Sequence, residues 1–89
     1  MLTVEAMTAT ITVKQLTWRS RRGMLELELF LLPFVRSELG SLGPAELRLY
    51  ARLLEHDDWD IYEWLQGRDD PDDSELATII ERIRLANQP

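Results

Sequence analysis

The segment from Met24 to Leu39 is apolar on nearly every side: Met24, Leu27, Leu31, Phe34 and Val35 recur at helical spacing, and Leu29, Phe30 and Leu32 fill the opposite side. A helix of this kind is expected at the centre of a fold, with other helices packed against it. Pro33 lies inside it, where the missing N–H and the crowded carbonyl four residues earlier cost about 3 kcal/mol if nothing compensates. A kink is expected there rather than a stop, because Gly40 is the first good terminator.

The 89 residues suffice for one modest core and therefore for one domain around that helix. Val13 to Ser20 reads as a short helix with Val13, Leu16 and Ser20 on one side and Trp18 beside them. Leu42-Gly43-Pro44-Ala45-Glu46-Leu47 reads as a helix start, with Gly43 as cap and Pro44 in the first helical position. The face Leu47, Tyr50, Ala51, Leu54 follows. After a break at His56-Asp57-Asp58, a short Asp-capped helix carries Ile61, Trp64 and Leu65 inward and ends at Gly67. An acidic loop around Pro71 leads to a last helix, capped by Asp72 with Glu75, whose face is Leu76, Ile79, Ile80 and Ile83. Residues 1–12 alternate only weakly and have no second strand to pair with. The chain is expected to be all-α: a single compact five-helix bundle over residues 13–89 behind a flexible leader at 1–12.

Several function classes are disfavoured by composition. The net charge of -6 opposes general nucleic-acid binding, which rests on cations displacing counterions from phosphates. The charge is uneven: residues 1–54 hold seven Lys or Arg against five acids (+2), and residues 55–89 hold three against eleven (-8). With no cysteine there is no disulfide, thiolate metal site or thiol nucleophile. His56 is the only histidine and stands at the end of the third helix, where a cation suits the negative terminus. The clusters Asp57, Asp58, Asp60 and Asp69, Asp70, Asp72, Asp73 lack calcium-loop spacing and read as caps and a solvated loop. Trp18, Trp59 and Trp64 are expected to complete or partly cover the core. No glycine-rich phosphate loop, secretory signal or membrane-length apolar run is visible. No catalytic residue, metal or stably bound cofactor is expected, and the chain reads as a cytoplasmic protein without direct membrane insertion.

What packing leaves over is Arg21-Arg22-Gly23-Met24-Leu25-Glu26-Leu27-Glu28. Cations end one helix, a glycine turns the corner, and two acids open the next helix. Helix dipoles favour those signs, but Lys, Asn or Asp would serve as well, so this combination points to docking on a partner.

At these residues the chain resembles a known family, the small assembly factors often called flavinators, which promote covalent attachment of FAD to the flavoprotein subunit of succinate dehydrogenase. The family signature Arg-Gly-x-x-Glu stands here as Arg22-Gly23-Met24-Leu25-Glu26. The resemblance extends through Trp18-Arg19-Ser20-Arg21-Arg22-Gly23-Met24, Glu28, the start near Leu42 and Glu46, Leu53-Leu54-Glu55 and Asp57 to Leu65, covering roughly Trp18 to Ile83. Ser20 stands where many members have Cys, Leu25 where Arg is common, Glu28 where Asp is usual, and Trp59 where Pro usually opens the fourth helix. Leu25 makes the docking face more apolar.

The resemblance implies a five-helix bundle, a monomer when free, that holds a flavoprotein subunit of succinate dehydrogenase or fumarate reductase in a bacterial cytoplasm while a histidine of that partner becomes bonded to the flavin. The FAD then belongs to the client. Partner-binding roles fall to Arg21, Arg22, Gly23, Met24, Glu26 and Glu28, with Gly23 allowing close approach, Arg22 pairing with an acidic or carbonyl-rich patch and Glu26 engaging a partner cation or amide. Two other classes remain open on the residues alone. One is a nucleic-acid adaptor using Lys14, Arg19, Arg21 and Arg22; the other is a helical protein-binding regulator of the antitoxin type with a different client.

Overall fold

A computed structural model describes residues 12–88. It contains α1 (Val13–Arg19), α2 (Leu25–Ser37), a 3-10 turn (Leu39–Ser41), α3 (Pro44–Leu53), α4 (Asp58–Leu65) and α5 (Leu76–Ala86), with no strand among the described residues. The five expected helices are present. Of the leader expected at 1–12, only Thr12 lies within the described residues. Thr12 caps α1, accepting from the Gln15 N–H at 3.1 Å while the Gln15 side chain accepts from the Thr12 N–H at 3.0 Å.

Helix α2 packs against α4, α5 and the 3-10 turn, α3 packs against α5, and α1 rests on α3. Leu27, Leu31 and Phe34 of α2 are completely buried, beside Tyr50 and Leu53 of α3, Ile61 of α4, and Leu76 and Ile83 of α5. The helix runs unbroken through Pro33. The carbonyl deprived of its partner is that of Leu29, which stands at the solvent surface, where water can satisfy it.

Full enclosure of α2 was expected and does not occur: Leu25 and Leu29 are about two-thirds exposed. Four short helices have enough surface to cover only one side of a 13-residue helix. Two of the three tryptophans depart from expectation in the same sense. Trp64 joins the core, but Trp59 is largely exposed beside Tyr62, and Trp18 is 72% exposed.

Beneath α1 lies one buried polar pair. Ser20 Oγ donates to the Leu16 carbonyl at 2.7 Å and stands 2.6 Å from the Tyr50 hydroxyl. A serine has one hydroxyl hydrogen, here engaged by Leu16, so Tyr50 is the donor of the second bond. Burial pushes the Tyr50 hydroxyl up to about 12, which keeps it a neutral donor.

The ends of α4 and α5 differ in how far they were legible. Asp57 caps α4 through the Trp59 N–H, and Gly67, at φ +78°, closes it with Gly67 N–H donating to the Trp64 carbonyl and Arg68 N–H to the Glu63 carbonyl. At α5 the expected Asp72 and Glu75 capping pair is not formed. Glu75 itself occupies the cap position, and its N–H donates to Asp73 Oδ1 at 3.1 Å. Arg52 of α3 holds the Asp73 carboxylate and reaches Glu75 at 3.5 Å, and the cap stands three residues later than the capping pattern suggests.

Truncating Leu31 to Ala should cost about 2–5 kcal/mol in urea unfolding, the range for an emptied core site. Tyr50→Phe should cost only about 1 kcal/mol, the net value of one hydrogen bond; an equal loss in both would contradict the packing described.

Candidate functional site

The corner between α1 and α2 is built around the Arg22 guanidinium. Its Nε donates to Asp58 Oδ1 at 2.7 Å, Nη2 donates to the His56 carbonyl at 2.9 Å, and Nη1 donates to the Arg19 carbonyl at 3.2 Å. A single planar fork thus fastens the end of α1 to the link before α4 and to the first turn of α4. Asp58 adds a negative charge at the positive end of α4. The Arg22 side chain is only 16% exposed.

Gly23 turns the chain at φ +86°, a left-handed conformation that costs a residue with a Cβ. A Cβ built there meets nothing within 4 Å, so the backbone angle and not crowding demands glycine, and the corner is open to approach. Glu28, one turn into α2, reaches back to this corner. Its Oε2 accepts from the Gly23 N–H at 2.7 Å and the Arg22 N–H at 2.8 Å, with Arg21 Nε 3.8 Å from Oε1. The Gly23 N–H is the main cause holding the Glu28 carboxyl below its ordinary 4.5; partial burial opposes it, and the Arg22 N–H and Arg21 charge assist.

The six residues singled out in the sequence meet at this corner but divide into two groups. Arg22 and Glu28 form it, Gly23 permits it, and Met24 caps α2 and packs on the core. Arg21 and Glu26 face solvent, and among the described residues Glu26 forms no side-chain hydrogen bond or ion pair. Leu25 and Leu29 stand exposed on either side of Glu26 along α2.

Three features were not foreseen. Asp58, read from the sequence as part of a capping cluster, is the partner of Arg22, 36 residues away. The His56 ring stands edge-on to Trp64 at 5.0 Å, and the His56 carbonyl serves Arg22. Of the four cations considered for nucleic acid, Arg19 and Arg22 are engaged inside the chain, Arg19 through the Ala51 carbonyl at 3.2 Å. Among the described residues no group of three His, Cys, Asp or Glu could hold a metal ion, and no helix is long and apolar enough to cross a membrane.

Residues 14–87 match the family described as flavinator of succinate dehydrogenase. The FAD assembly factor SdhE of Yersinia pseudotuberculosis serotype I is 41% identical over 71 residues, spanning 80% of this chain and 81% of its own. The proteins of the same name from Pseudomonas savastanoi pv. phaseolicola and Pseudomonas syringae pv. tomato are 39% identical over 79 residues, covering 89% of this chain and 94% of theirs.

Two measurements test the corner. Gly23→Ala should lower stability by about 1–2 kcal/mol from backbone strain alone, since nothing crowds the added methyl. A depressed carboxyl contributes stability that is present above its unfolded value and lost as pH falls through the folded one. The urea midpoint should therefore fall on acidification below 4.5, and Glu28→Gln should flatten that fall; parallel curves would sink the assignment.

Proposed function

This chain belongs to the family of flavinators of succinate dehydrogenase, and on that premise we propose that it is an assembly factor promoting FAD attachment to the flavoprotein subunit of succinate dehydrogenase without catalytic groups of its own. The observation that carries the reading beyond membership is the division of labour at the corner. Arg22 and Glu28 are committed to intramolecular bonds that define its shape, while Glu26, Leu25, Leu29 and the open side of Gly23 face outward.

Such a face suits a rigid template. Apolar Leu25 and Leu29 supply contact area that gains by leaving water. Glu26 offers a charge to a partner cation or amide, and Gly23 lets a partner backbone come close. A template of this kind accelerates a bond-forming step in its client by holding domains so that the reacting groups sit at contact distance, which can supply several kcal/mol without chemistry by the template. Nucleophile and flavin both belong to the client, and fumarate reductase is a second client of the same chemistry. With its guanidinium engaged inside the chain, Arg22, first expected to pair with a partner patch, is assigned here the role of presenting its neighbours.

Co-expression with a flavoprotein subunit in a host lacking such a factor, read as flavin fluorescence of the denatured subunit, tests this. The wild-type chain should raise covalent flavin, and Glu26→Ala and Gly23→Arg should reduce it about tenfold to a hundredfold, the scale of lost positioning. Leu85→Ala, exposed on α5, should leave it unchanged. Wild-type yield from Glu26→Ala and Gly23→Arg would refute the proposed face.

A further inference from the structure

Between α1 and α2 lies an open cleft of about 520 Å³, lined by Lys14, Thr17, Trp18 and Arg21 from the α1 side and by Leu32, Val35 and Arg36 from α2. The spacings are those of single helix faces: 14, 17, 18 and 21 on one wall, 32, 35 and 36 on the other. The cleft exists because α1 rests on α3 and leaves this side of α2 uncovered. Its floor is apolar, and its rim holds three cations and no acid.

That rim is distinctive in a chain of net charge -6. Of the arginines outside the cleft, Arg22 pairs with Asp58, Arg52 with Asp73 and Glu75, Arg68 with Glu63, Arg82 with Glu46 and Glu38, and Arg84 with Glu81; Arg19 donates to the Ala51 carbonyl, and Arg48, on α3 away from the cleft, has no ion-pair partner among the described residues. Lys14 and Arg36 have no ion-pair partner among the described residues, and Arg21 has only Glu28 at 3.8 Å while its side chain is 65% exposed. Trp18 stands in the same cleft, 72% exposed, although burying an indole is among the largest apolar gains open to a side chain. Exposed Trp beside unpaired Arg is the composition of an interface hot spot.

We infer that this cleft is a second docking element for the flavoprotein client, and that its occupant is a client segment presenting one bulky apolar side chain flanked by carboxylates. The inference rests on the function proposed above. Charge complementarity selects the occupant: carboxylates answer Lys14, Arg21 and Arg36, and the apolar side chain enters between Trp18 and Leu32. The cleft volume falls within the range of pockets that enclose a compact apolar group. Because α2 also carries Leu25, Glu26 and Leu29, one client can bridge the corner and the cleft along a single helix. Two modest contacts on one rigid element reinforce each other through effective concentration.

Binding of the full chain to purified flavoprotein subunit, measured by calorimetry at about 0.1 M and about 1 M salt, separates the terms, since the screening length falls from about 10 Å to about 3 Å. The double variant Lys14→Glu/Arg36→Glu should weaken binding about tenfold at low salt and much less at high salt. Trp18→Ala should weaken it about thirtyfold at both. Arg48→Glu, which changes charge on α3 away from the cleft, should bind as wild type. If the cleft variants bind as wild type while Glu26→Ala does not, this inference fails and the proposed function stands. If the wild-type chain does not bind the subunit, both fail. Equal weakening by Arg48→Glu, or loss in the cleft variants of self-association or oligonucleotide binding in place of client binding, also overturns it. All these positions are exposed, so thermal melting should match wild type and exclude misfolding as the cause.

Discussion

The guanidinium of Arg22 is the point on which the shape of the exposed face depends. Three acceptors on three segments, Asp58, the His56 carbonyl and the Arg19 carbonyl, converge on one planar group. Lysine would offer a charge without the fork and could not satisfy this geometry. Glu28 completes the clasp from the other side by gathering the N–H groups of Arg22 and Gly23. Backbone and side chain of the same arginine are thereby fixed independently, and the left-handed turn at Gly23 has no freedom left to relax. A docking surface that must present Leu25, Glu26 and Leu29 in one orientation avoids losing binding free energy to ordering when it is held this way beforehand.

Much of this was legible in the residues because the chain's local signals agree with its fold. Pro44 after Gly43, Asp57 before α4, Gly67 after it and the period of Leu76, Ile79, Ile80 and Ile83 each act within a turn or two, so local pattern suffices to read them. Arg22 with Asp58 is a contact across 36 residues and leaves no local trace. The same holds for Arg52 with Asp73, which moved the start of α5 away from the Asp72 and Glu75 pattern. Periodicity also identified α2 as central without telling how much of it four small helices could cover. Its uncovered stripe bears Leu25 and Leu29, on the surface proposed above for docking.

That stripe carries a tension between solubility and function. Leu25, Leu29 and Trp18 together expose apolar area that invites self-association, and the chain opposes this with net charge concentrated elsewhere. The acidic loop Asp69 to Asp73 and the acidic first turn of α4 repel a second copy at long range, while Lys14, Arg21 and Arg36 stand near the apolar face. On the docking proposed above, the same arrangement favours approach of a carboxylate-bearing client segment to that face. Charge segregation here discriminates partners and leaves the apolar contacts to set how long the complex lasts.

A template must be stiffer than what it holds, and the core shows where the stiffness originates. Tyr50 and Ser20 form a buried hydroxyl pair beneath α1, Arg19 ties α1 to the Ala51 carbonyl, and Asn87 ties the end of α5 to the Phe30 carbonyl of α2 at 2.9 Å. Each bond joins the two helices bearing the exposed residues, α1 or α2, to the body formed by α3, α4 and α5. None of the three touches the outward face. Each is worth about 1 kcal/mol net, too little to account for folding, but a satisfied buried polar pair has one geometry where apolar packing tolerates several. Ser20 therefore has a role that its position one residue before Arg21 conceals. Its hydroxyl ties the end of α1 to Tyr50 of α3, on the side of α1 seated against the core.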